Sequence, residues 1–220
     1  MIRHSLLTPL KRFGLMLTML AALAFAVSAC GDEDEETSSA DTKPVAELPD
    51  LTGVDTSVAL NADFLAALKS LKVTPGVVGD AELKGTDISF PITGGNVTYY
   101  DPASDVRPFV QGIIDHEGSG LSLTAGDTTV ELTDFVIDPG TSELTGTVTA
   151  NGKEAATDAL LFDLDGSTLE PLKPTDNGGI LSGTTVLLSQ PAADLLNETF
   201  GIKDLAGGLE IGISTIEVSG

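Results

Sequence analysis

Apolar side chains recur at helical spacing between residues 57 and 73, where Phe64, Leu65, Leu68 and Leu71 line one stripe with alanines between them. A helix is expected from Val58, with Asn61 as N-cap and Pro75-Gly76 as stop. The next hundred residues change period. Leu121, Leu123 and Ala125 alternate with polar residues, as do Val130 and Leu132, and Leu144, Gly146, Val148 and Ala150. Turn signals separate the runs: Gly94-Gly95, Gly118-Ser119-Gly120, Gly126-Asp127, Pro139-Gly140 and Asn151-Gly152. Short alternating runs with Gly, Asn and Asp turns predict an antiparallel β-meander, and Asn151-Gly152 is the strongest hairpin signal. The apolar phase shifts from Val130/Leu132 to Phe135/Ile137, which predicts a β-bulge near Asp134.

Residues 170–179 (EPLKPTDNGG) read as a polar loop, followed by a strand at Thr184–Leu188. A second helix begins near Pro191, carries Ala192, Ala193, Leu195, Leu196 and Phe200, and stops at Gly201. Leu209, Ile211 and Ile213, then Ile216 and Val218, form a last strand with a phase slip. Residues 57–73 and 185–202 share one plan of apolar start, polar cap and Ala/Leu helix, either a weak internal repeat or two ordinary amphipathic helices. Each helix has one apolar face, which must cover part of a sheet. The fold class expected is mainly β (α+β): an antiparallel meander, sandwich or partial barrel with two short flanking helices.

The first fifty residues follow a different logic. Arg3, Lys11 and Arg12 precede an apolar run from Phe13 to Val27, which ends in Val27-Ser28-Ala29-Cys30 before the chain turns acidic at Asp32. A charged start, a short apolar core and small residues before a cut site make a secretory signal peptide. The run is shorter than the roughly 20 residues of a membrane-spanning helix. Val-Ser-Ala-Cys resembles a bacterial lipobox, and Cys30 is the one cysteine of the chain. The expected organisation is a lipoprotein signal peptide (1–29), a lipidated Cys30 with an acidic disordered linker (30–50), and a single β-rich domain (51–220). This places the protein outside the cytoplasm, anchored in a membrane through Cys30, at the cell surface or on a periplasmic face.

Charge narrows the partners. The chain carries 33 acidic and 11 basic side chains, for a net charge of −22. Removal of residues 1–29, with three basic residues and no acid, takes it to −25. Nucleic acid and anionic lipid headgroups both need Lys and Arg, so neither is an expected partner. A solvated acidic surface is the simple reading, and salt adaptation or cation capture are alternatives. With Cys30 lipidated no disulfide remains, and the core alone must hold the fold. No Trp, two Tyr and eight Phe leave few anchors for a tight protein interface.

His116 is the one histidine after the leader, in Gly112-Ile113-Ile114-Asp115-His116-Glu117-Gly118. An imidazole between two carboxylates offers a metal ligand or a general base. A turn-proximal histidine with a local hydrogen bond is the simpler reading. No Gly-x-Ser-x-Gly elbow nominates a nucleophile, and one His without a free Cys makes a poor zinc site, so no catalytic residue and no metal site are assigned. Asp163-Leu164-Asp165-Gly166 misses the EF-hand spacing and reads as a strand ending in a polar turn. Tyr99 and Tyr100 are adjacent, so on a strand one ring faces inward and the other outward. The glycine pairs sit in no phosphate-cradling pattern.

The run Phe90-Pro91-Ile92-Thr93-Gly94-Gly95, then Gly112-Ile113-x-x-His116-x-Gly118-x-Gly120-Leu121 and the alternating strands after it, resembles secreted β-rich domains of actinobacterial-type envelopes. It is more distantly similar to the HtaA-type haem-uptake domain, over roughly residues 58–218. That resemblance implies a β-rich haem-binding fold in which a tyrosine from an early segment ligates iron and a histidine assists. His116 matches the histidine; Asn61–Leu71 holds no tyrosine, and Tyr99 and Tyr100 lie elsewhere. The reading is a non-enzymatic, lipid-anchored binding or structural module of the cell envelope, with an envelope protein or small ligand as partner. The alternative is haem or metal capture through His116, Tyr99 and Tyr100; apart from haem, no cofactor is expected.

Overall fold

The computed structural model describes residues 43–220. The signal peptide, Cys30 and the acidic block 32–36 lie outside the described residues. Thirteen strands and two helices follow in chain order: β1 (Ala46–Leu48), β2 (Gly53–Leu60), α1 (Ala62–Leu71), β3 (Thr74–Gly79), β4 (Glu82–Lys84), β5 (Asp87–Pro91), β6 (Gly94–Tyr99), β7 (Val110–Ala125), β8 (Thr128–Asp138), β9 (Glu143–Ala150), β10 (Lys153–Asp165), β11 (Lys173–Pro174), β12 (Gly178–Leu188), α2 (Gln190–Phe200) and β13 (Glu210–Ser219). All strands join one sheet in the order β1-β6-β7-β8-β9-β10-β12-β13-β2-β5-β4, with β11 beside β12 and β3 beside β7.

Covalent connectivity forces that sheet to curl. Only Ile92 and Thr93 separate β5 from β6, yet the two strands lie near opposite ends of the order. The crossing is pinned by backbone bonds from Ile92 N–H to Val54 O (3.0 Å) and Thr93 N–H to Asp115 O (2.8 Å). Across the same gap the Phe90 ring meets Phe135 edge-on at 5.1 Å. The result is a partial barrel rather than a flat meander or sandwich. Its inner face carries the core, including Ile88, Phe90, Val97, Ile114, Leu132, Phe135, Ile137, Val148 and Phe162.

The meander of β7 to β10 follows the pattern of the chain. Gly126-Asp127 and Asn151-Gly152 make two-residue hairpins, closing the pairs Ala125↔Thr128 and Ala150↔Lys153. Asn151 and Gly152 have φ of 49° and 75°, the positive pair that a primed turn needs. Asp134 sits at a bulge with φ 53°, where the apolar phase shifts.

Both helices begin where a strand stops. Asn61 caps α1, its Oδ1 accepting from Asp63 N–H, and Ser189 caps α2, its Oγ accepting from Ala192 N–H. The plan shared by residues 57–73 and 185–202 is therefore strand, cap, helix and left-handed end in both segments. Phe64 and Leu68 bury the inner face of α1, and Ala192, Ala193 and Leu196 that of α2.

Several expectations are corrected. Residues 46–48, read from sequence as linker, pair with β6, so the sheet starts earlier than residue 51. Val58 belongs to β2, and α1 ends at Leu71 with Lys72 in the left-handed region. Pro75-Gly76 lies inside β3, a strand paired with β7, and Gly94-Gly95 opens β6. Gly118-Ser119-Gly120 is no turn. It is a bulge within the 16-residue β7, where residues 117–119 oppose Asp134 and Gly118 N–H donates to the Asp134 carboxylate (2.9 Å). That carboxylate occupies the widened ladder, so the strand runs on instead of reversing. In β13 the phase slips early: Ser214 is buried and Ile213 faces solvent at 39% exposure.

Candidate functional site

The inner wall of the curl does not fill itself. A cavity of about 400 Å³ runs inside the sheet. Its lining extends from Val58 and Leu121, past His116, to Phe109, Pro139 and Leu169 in loops at the end opposite the helices. Strand alternation explains why it is apolar: the inward positions of β5, β7 and β8 are Ile88 and Phe90, Ile114 and His116, and Phe135 and Ile137. Among the described residues no Asp, Glu, Lys or Arg lines it.

Tyr99, Ser142 and Thr184 add single hydroxyls to this surface, and a polar cluster forms around His116. His116 is 1% exposed, and its ring bridges two walls. Nδ1 lies 3.3 Å from Phe135 O on β8, and Nε2 lies 2.8 Å from Thr56 Oγ1 on β2. A carbonyl only accepts, so Nδ1 carries the hydrogen and donates to Phe135; Nε2 then accepts from the Thr56 hydroxyl. Burial lowers the His116 pKa from 6.5 to about 4, opposed by its bond to the Phe135 carbonyl, and the imidazole is neutral at pH 7. Ser214 brings a second hydroxyl to the lining. It pairs across the ladder with Val58, one inward position along from Thr56.

The sequence-predicted residues divide. His116 faces the cavity, but its bonds reach 19 and 60 residues along the chain, so it is no turn-proximal histidine with a local partner. Asp115 and Glu117 point to the other face of β7, because neighbours on a strand alternate, and no His–carboxylate dyad forms. Tyr99 is the inward ring; it lines the cavity and packs edge-on against Phe109 at 5.9 Å. Tyr100 follows the end of β6 and is not among the cavity residues. Neither tyrosine hydrogen-bonds His116. Asp165 ends β10 and accepts from Ser167 N–H, a polar turn. Among the described residues no group of three or more His, Cys, Asp or Glu is placed to hold a metal ion.

Sequence reading missed Thr56 and Ser214. Thr56 shares its phase with Val58 and Leu60, which is a strand signal, but the Ala/Leu run after it dominates that window. Ser214 is hidden by the slip in β13.

The architecture has a solved counterpart. The fold is similar to that of the C-terminal domain of HtaA from Corynebacterium glutamicum. The two share 13% identity at a TM-score of 0.53, over 79% of this chain and 98% of that domain. The heme binding protein HtaB from the same organism aligns with a TM-score of 0.48 and 12% identity, over 79% of this chain and 96% of HtaB. No family model and no curated protein matches the sequence. The likeness to HtaA bears out a distant HtaA-like β fold.

Toward haem the lining offers Tyr99, packed against Phe109, and His116, both of whose nitrogens are engaged; among the described residues no Lys or Arg lines the wall to meet a propionate.

Proposed function

We propose that this protein is a non-enzymatic binding module of the cell envelope, held at a membrane through lipid on Cys30, which takes a small hydrophobic molecule into the cavity of its curled sheet. The single observation behind this reading is the cavity: about 400 Å³, walled mostly by apolar side chains. Ligand pockets span roughly 300–1,000 Å³ and combine apolar walls with a few polar groups. Thr56, His116 and Ser214 are such groups here. The non-enzymatic part rests on chemistry: the one imidazole faces a threonine and a carbonyl, with no carboxylate behind it.

A saturable, one-to-one rise in N-phenyl-1-naphthylamine fluorescence is the expected result, lost in Ser214→Phe, which fills the cavity, with thermal melting to verify folding. Absence of saturable binding to the wild-type protein sinks the reading. Anchoring is tested separately: Cys30→Ser moves the protein from the membrane fraction to the soluble one.

Haem is the second reading. It is favoured by His116, whose Nε2 is held by a single hydroxyl that can rotate away. A haem titration decides it, through a Soret shift that weakens in His116→Ala and Tyr99→Phe.

A further inference from the structure

The cluster on the cavity wall selects more than hydrophobicity, and its chemistry names a ligand class. We infer that the cavity takes an uncharged hydrophobic alcohol whose hydroxyl group is read by Thr56 and Ser214, with His116 behind them. This inference rests on the binding-module reading and specifies its ligand.

The argument begins at Phe135. Its carbonyl accepts the Nδ1 hydrogen of His116, which leaves Nε2 as an acceptor. Thr56 must then spend its one hydroxyl hydrogen on Nε2, at 2.8 Å. The Thr56 oxygen consequently meets the cavity with lone pairs only. A ligand group there must donate a hydrogen. A carboxylate, ester or ether offers none, whereas an alcohol does. Ser214, 4% exposed and next along the inward row, has a hydroxyl with no hydrogen-bond partner among the described residues. It can donate to the oxygen of the same ligand group, so one alcohol can both donate and accept.

Charge excludes the rest. No side chain in the lining is ionised near neutral pH, and the only basic group is an imidazole that burial keeps neutral. An anionic headgroup inside these walls would be desolvated without a counter-charge, which is strongly unfavourable. The net charge of −22 repels anions at the approach as well. A cationic head would find no carboxylate inside. A neutral molecule with a long or polycyclic apolar body and one hydroxyl meets Thr56 and Ser214 while its body lies against the apolar side chains of the lining.

The test is competition against N-phenyl-1-naphthylamine on the purified protein at pH 7.5. Oleyl alcohol, methyl oleate and oleate share one chain and differ at the head. Oleyl alcohol is expected to displace the probe at concentrations at least about tenfold below those of the other two, a gap of about 1.4 kcal/mol. Thr56→Val removes the reading oxygen and collapses that preference, while Thr56→Ser retains it; thermal melting verifies that both variants fold. Equal or better displacement by oleate, or a saturable haem Soret shift, overturns the alcohol class and leaves the binding module standing. An undiminished preference in Thr56→Val overturns the role given to the hydroxyl pair. Failure of the wild-type protein to bind the probe at all overturns both this inference and the reading beneath it.

Discussion

His116 is a neutral imidazole locked into one tautomer, and its protonation is linked to folding. In the unfolded chain it binds a proton near pH 6.5, whereas in the fold burial lowers that value to about 4. Between those values the unfolded state holds more protons, so stability rises with pH across the window and falls as pH drops through it. Above pH 6.5 the group contributes no pH dependence. The full difference amounts to about 3 kcal/mol at the acid end, an upper figure. Urea midpoints at pH 7 and pH 4.5 check this: His116→Gln should lose much less stability over the interval than wild type. Equal losses in both proteins would place the acid sensitivity in the carboxylates. Thr56→Val, which strips the donor from Nε2 and leaves a buried acceptor unpaired, should cost about 1–3 kcal/mol by urea denaturation at pH 7.

Elements meet their constraints at ends and crossings. Ser189 is fully buried; its hydroxyl donates to Leu160 O at 2.7 Å and accepts from Ala192 N–H at 3.1 Å, tying the start of α2 to β10. Ser189→Ala should therefore cost about 1–2 kcal/mol, at the upper end for a lost cap. The exposed cap of α1 is the control, since Asn61→Gly should cost only a few tenths by the same measurement. Gly112 shows what the curl demands of β7. Its φ is 122°, and a Cβ there would stand 2.1 Å from Asn96 O on β6. Gly112→Ala should lower the unfolding free energy by about 2–4 kcal/mol, because the strand pair must part to admit a methyl group. A shift under 0.5 kcal/mol would show that the β6–β7 pairing yields easily.

The charge of the molecule as a whole is strongly one-signed, with 33 acidic side chains against 11 basic. Among the described residues Lys84–Glu82 and Lys173–Glu170 form salt bridges, both exposed. A net charge of −22 on a chain of this size acts against compactness, and salt screens it. The melting temperature should thus climb between 10 mM and 500 mM NaCl in calorimetry, levelling off as the screening length falls below the spacing of surface charges. A flat profile would mean that the carboxylates are spread widely enough to be harmless. Loading the cavity is a second global effect: a bound ligand raises the melting temperature in proportion to the logarithm of its concentration once the site is saturated.

Local chemistry was legible in the sequence because it depends on neighbours a few residues away. The Asn151-Gly152 hairpin, the bulge at Asp134, the Asn61 cap and α2, with Pro191 in its first turn and Gly201 at its end, all follow from periodicity and turn residues within short windows. His116 stood out as the one imidazole beyond the leader. What it touches was not legible: Thr56 lies 60 residues away, and its approach depends on β5 and β6 crossing between distant parts of one sheet. Gly118-Ser119-Gly120 misled for the same reason, since a glycine run looks alike in a turn and in a bulge until the partner strand is known. The chain alone therefore determined a β-rich meander with two capped helices and an acidic surface. The closure of the sheet, the cavity inside it and the pairing of His116 with Thr56 belong to the tertiary structure, because each arises from contacts that no local window contains.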